Sequence, residues 1–111
     1  MPTNNKQAPQ PWLKNATDQL KKLCRDASAV ADEGDVLPSK QALNGAVKIL
    51  QTFQRATRPK IALTLNGEIA LSWNHPRDEF RAYIQPSGSV QFFHNKKHID
   101  KSDFSKNLIG I

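Results

Sequence analysis

Between Lys60 and Phe93 the chain runs through four short stretches in which apolar and polar residues alternate, each separated from the next by turn residues. Ile61–Leu65 is followed by Asn66-Gly67. Glu68–Trp73 is followed by Asn74–Asp78. Glu79–Gln85 is followed by Pro86-Ser87-Gly88, and Ser89–Phe93 closes the series. Alternation over such lengths, bounded by Gly, Pro, Asn and Ser, is the pattern of half-buried strands. It predicts a sheet with one apolar face and one face left for another purpose.

Register follows from requiring all apolar side chains to share a face, because a slip of one residue inverts a strand. A two-residue loop at Asn66-Gly67 would place Leu63 and Ile69 on opposite faces. A three-residue loop, Leu65-Asn66-Gly67 with a left-handed glycine, pairs Leu63 with Ile69 and Ile61 with Leu71. Pro86-Ser87-Gly88 supports the same geometry and pairs Ile84 with Val90 and Ala82 with Phe92. The longer middle loop pairs Trp73 with Phe80. The expected inner face is Ile61, Leu63, Ile69, Leu71, Trp73, Phe80, Ala82, Ile84, Val90 and Phe92.

Two helices precede the strands. Leu13, Ala16, Leu20, Leu23, Ala27 and Val30 recur at steps of three and four, one stripe of an amphipathic helix. It starts near Pro11, where a missing N–H costs nothing, and ends at Gly34; Asp18 is expected to pair with Lys22. A second helix, from Pro38 or Ser39 to about Ala56, carries a wider stripe and covers the sheet, with Gly45 at a close helix crossing. Residues 95–102 read as a basic loop. Phe104, Leu108, Ile109 and Ile111 form a short closing element over the sheet edge or its open face. The expected fold is α+β: two N-terminal helices packed on one face of a four-stranded antiparallel meander, with a short C-terminal closing element. Residues 1–10 read as a disordered polar tail and residues 11–111 as a single domain.

The chain of 111 residues carries a formal charge of +6, a balance that favours acidic partners. With Cys24 as its single cysteine it has no internal disulfide, which fits a reducing compartment. No apolar run approaches the roughly 18 residues of a membrane span, and the first eleven residues hold three prolines and no signal-like stretch. A cytoplasmic location without membrane contact is expected.

The register places Arg81 beside Phe93, and Tyr83 beside Gln91, on the outer sheet face. Aromatic residues and arginine anchor protein interfaces, and also stack on bases in single-stranded nucleic acids. Arg81, Tyr83, Phe93 and Gln91 are therefore the candidate partner-binding residues. Arg55, Arg58 and Lys60, with Lys96, Lys97 and Lys101, are candidate contacts for phosphates or an acidic partner. His75, His94 and His98 lack companion ligands at metal spacing, so no metal or cofactor is expected. Cys24 borders an apolar stripe and reads as an inert thiol. No phosphate loop, nucleophile elbow or zinc motif is present. The element order differs from a double-stranded-RNA-binding domain by an extra helix before the strands and an extra strand after them, and no family is assigned. The expected function is non-enzymatic: a small cytoplasmic protein-binding module, of inhibitor, antitoxin, immunity or adaptor type, that occludes or scaffolds a partner with an acidic surface. The alternative is a basic nucleic-acid-binding module using the same face. The chain acts as a monomer or as a homodimer paired through a strand edge.

Overall fold

The computed structural model describes residues 10–74 and 77–109. Three helices lie with one antiparallel sheet, an α+β arrangement. In chain order the elements are α1 (Pro11–Val30), α2 (Lys40–Thr52), β1 (Lys60–Leu63), β2 (Ile69–Asn74), β3 (Glu79–Ile84), β4 (Val90–His94), β5 (Lys97–Ile99) and α3 (Lys101–Ile109). The strands follow one another across the sheet in sequence order, β1 and β5 forming its edges.

The sheet has the register that the polarity pattern requires. Leu63 opposes Ile69 and Ile61 opposes Leu71, Trp73 opposes Phe80, and Ile84 opposes Val90 with Ala82 against Phe92. The β1–β2 and β3–β4 connections are three-residue loops. The Thr64 N–H donates to the Glu68 carbonyl at 2.9 Å and that of Gln85 to Ser89 at 2.8 Å. The closing glycines, Gly67 and Gly88, have φ of 78° and 92°, a region that side chains other than glycine's rarely enter.

The sheet has five strands rather than four. The stretch read as a basic loop contains β5, joined to β4 by the two-residue turn Asn95-Lys96, in which both residues have positive φ, 51° and 70°. Such a turn matches the twist of the strands it joins. Asn95 also pins the start of β3: its N–H donates to the Glu79 carbonyl, and its Oδ1 accepts from the Glu79 N–H, each at 2.8 Å.

The inner face carries the core. α2 lies across β2 and β3, α1 packs on α2, and α3 packs against β4. Leu13, Ala16 and Leu20 of α1 and Ala42, Ala46, Ile49 and Leu50 of α2 are buried with the inward residues of β2, β3 and β4. Phe104 of α3 is fully buried. Its ring meets those of Phe53 at 5.3 Å, Trp73 at 5.7 Å, Phe80 at 5.7 Å and Phe92 at 4.7 Å. The C-terminal element thus closes the apolar face, and β3 and β4 keep their other side clear of it.

The helices also differ in detail from the sequence reading. α1 ends at Val30 rather than Gly34, and Val30, the last residue of its expected stripe, is 77% exposed. The stripe outruns the surface that α1 packs on, so its end is left uncovered. Asp18 pairs with Lys14 at 2.9 Å, and Lys22 with Asp26 at 2.7 Å; the Lys14 ammonium holds the Asp18 carboxyl below its ordinary range. α2 stops at Thr52, with Phe53 as its C-terminal cap residue. Gly45 does not face a helix crossing. A Cβ there would lie 3.1 Å from the Gly88 carbonyl oxygen and from Ile84 Cγ2, so the glycine lets α2 settle onto the β3–β4 turn.

Ser39 caps α2 and ties it to the same turn. Its Oγ accepts from the Ala42 N–H at 3.0 Å and donates to the Pro86 carbonyl. Ser39→Ala removes both bonds and is expected to cost about 1–2 kcal/mol in urea-monitored unfolding. An unchanged midpoint would show that this cap contributes nothing. The expected tail and closing residues Met1–Pro9 and Ile111, and the His75-Pro76 stretch of the middle loop, lie outside the described residues.

Candidate protein-binding face

Residues of even position in β1 and β2, and of odd position in β3 and β4, point away from the core. Cross-strand pairing assembles them into rows. Lys60, Ser72, Arg81, Phe93 and His98 lie side by side in one row. Ala62, Ala70, Tyr83 and Gln91 form the next. All four residues assigned to partner binding therefore stand on one face, with Gln91 exposed and Arg81, Tyr83 and Phe93 half-buried against one another.

Arg81 is held at both ends of its fork. Its Nη1 donates to the Tyr83 hydroxyl at 3.0 Å and its Nη2 to Glu79 Oε2 at 2.8 Å. These two bonds, with the Tyr83 hydroxyl the larger influence, hold its pKa above the ordinary guanidinium value. Tyr83 and Phe93 meet edge to face at 5.6 Å, and Phe93 and His98 do so at 5.3 Å. The edge of one ring is thus set against the face of the next, a preferred geometry for aromatic pairs. Glu79, Arg81, Tyr83, Phe93 and Lys96 enclose an open groove of about 300 Å³. The long side chains of this face are already ordered by one another, an arrangement that would lower the entropy lost by any partner docking there.

Two members of this group, Glu79 and His98, were not singled out in the sequence, and a third, Lys96, was assigned to a separate basic cluster. Glu79 has the same parity as Arg81 and Tyr83, so the alternation already contained it. His98 required the fifth strand. Lys96 had been grouped with Lys97 and Lys101, but the fold separates these three. Lys96 lines the outer groove, and Lys97 lies in β5 opposite His94. Lys101 starts α3 and lines a different groove of about 310 Å³ with Lys48, Ile49, Val90 and Phe92. Arg55, Arg58 and Lys60 are all exposed beyond the end of α2. Arg58 donates to Gln19 Oε1 at 2.7 Å.

His94 and Asp78 come together in a way the sequence did not suggest. His94 Nε2 lies 2.9 Å from Asp78 Oδ1, and its ring stacks on Phe80 at 4.4 Å with 2° between planes. Asn95 Nδ2 donates to the same carboxylate at 3.2 Å. The group braces the chain where β3 begins. Cys24 is half-buried, and burial pushes its thiol above the ordinary value, away from the reactive thiolate. Among the described residues no cluster of three or more His, Cys, Asp or Glu side chains could hold a metal ion, and no helix is long and apolar enough to cross a membrane. No protein-family model, curated protein or solved structure matches the chain.

Proposed function

We propose that this protein is a non-enzymatic binding module that captures another protein on the outer face of its sheet, around Arg81, Tyr83, Phe93 and Gln91. The observation that carries this reading is the side taken by α3. Phe104 and Leu108 are buried on the inner face, so the ordered aromatic and arginine side chains opposite remain available. Because Glu79 already neutralises Arg81, the preference for an acidic partner comes from Lys96 at the groove and from the surplus of positive charge on the chain. Tyr83 and Phe93 supply the apolar anchor. Binding of this kind acts by occlusion or by scaffolding, as in inhibitors, antitoxins, immunity proteins and adaptors.

The test is capture by the full chain compared with the triple variant Arg81→Ala/Tyr83→Ala/Phe93→Ala, with circular dichroism showing that the variant is folded. The expected result is loss of the partner recovered by the wild type; equal recovery rejects this face. A single-stranded oligonucleotide titrated at low and physiological salt serves as the comparison. Tight binding that weakens steeply with salt, and is lost in the same variant, would replace the protein partner with a nucleic acid.

A further inference from the structure

We infer that β1 is a self-association edge, and that two copies of the chain pair antiparallel through it about a twofold axis at Ala62, joining their sheets into one. This contact is independent of the outer-face reading.

The first support is the direction of the backbone groups. Thr64 bonds to Glu68 across the β1–β2 pair, and alternation in an antiparallel ladder then turns the N–H and C=O groups of Ile61 and Leu63 outward. Two copies related by a twofold axis at Ala62 place Ile61 of each opposite Leu63 of the other, where each pair exchanges two hydrogen bonds. Their side chains all fall on the inner face, extending both cores. On the outer face Ala62 meets its own counterpart without crowding, and Lys60 meets Thr64, so no like charges oppose.

The second support is the apolar surface beside this edge. Among the described residues the exposed large hydrophobic side chains are Val30, Val36, Leu37 and Leu65, at 77%, 53%, 37% and 93% exposure. All four line one shallow groove that also includes Leu63 of β1. In the twofold register Leu65 falls opposite Pro59 of the second copy, which is buried in its own chain, so Leu65 lies at the end of the paired segment. The opposite edge of the sheet is built differently: β5 is three residues long and begins Lys97-His98, a short and basic edge of the sort that resists pairing.

The third support is charge, and it selects a second copy over a foreign strand. Arg58 and Lys60 stand at the start of β1. At its far end Asn66 bridges to Val36, next to Asp35, with Asp32 and Glu33 exposed beside it. Antiparallel pairing sets the basic start of one strand against the acidic end of the other, and the twofold axis repeats this match.

Sedimentation velocity over a concentration series, together with cysteine crosslinking, tests the contact. Wild type is expected to shift from monomer to dimer as concentration rises. Leu65→Asp is expected to weaken the dimer about tenfold or more, as loss of a buried leucine at the contact requires. In a Cys24→Ser background, Ala62→Cys should form a dimer disulfide under mild oxidation, because the two Cα atoms at the axis lie about 4.5 Å apart, and Lys60→Cys should not. A monomer at every concentration overturns the inference. So does equal crosslinking at both positions, which would mean another register or random collision.

Discussion

Replacing Phe104 with alanine is expected to remove about 3–5 kcal/mol of stability, the usual loss for a buried phenylalanine. The ring touches four other aromatic rings, drawn from the end of α2 and from β2, β3 and β4. Each edge-to-face contact adds roughly 0.5–1.5 kcal/mol beyond the area buried. A domain of this size has only about 5–15 kcal/mol in all, so the variant should unfold at a much lower urea concentration. The effect also bears on function, because Phe104 holds the C-terminal helix to the inner face. A loss below about 1 kcal/mol, far under the normal range for such a site, would mean that α3 is not docked there.

The second large effect is expected at Gly67. Its φ of 78° is left-handed, which costs an ordinary residue about 1–2 kcal/mol. A Cβ would also stand 2.7 Å from Val36 Cγ1 and 3.0 Å from the Leu37 carbonyl oxygen. The valine side chain can rotate away, but the carbonyl belongs to the backbone and moves only with the segment leading into α2. Overpacking of this sort adds about 1–3 kcal/mol, so Gly67→Ala should cost about 2–4 kcal/mol in the same unfolding measurement. A change of less than about 0.5 kcal/mol, smaller than the left-handed penalty alone, would contradict the bulged loop.

That loop is also the reason the sheet could be read from the sequence. Leu63 and Ile69 can share a face only if Gly67 occupies a third loop position, and the requirement for a common apolar face selected that geometry from the residues alone. The pairing of Arg81 with Phe93, and so the outer site, followed from the same rule at Pro86–Gly88. Where the reading stopped, the physical signal was weak. Asn95-Lys96 makes a tight turn without glycine, and β5 after it is three residues long with a single hydrophobic residue, Ile99. Alternation cannot register over so short a segment. The placement of Phe104 was open because an amphipathic turn of helix fits either sheet face. Its choice is made by the cavity among Phe53, Trp73, Phe80 and Phe92, which exists only once the strands are assembled. Val30 misled for the opposite reason: periodicity marks a side chain as apolar without saying that something is there to cover it.

The account rests on the outer sheet face being open to solvent while the C-terminal helix closes the other. Paramagnetic broadening of assigned NMR signals by a soluble gadolinium chelate measures this without a partner. Tyr83, Gln91, Phe93 and His98 should broaden strongly, while Phe53, Trp73, Phe92 and Phe104 stay sharp. Tyr83 and Phe93 as protected as Phe104 would show that the face is already covered, and would contradict the proposed site.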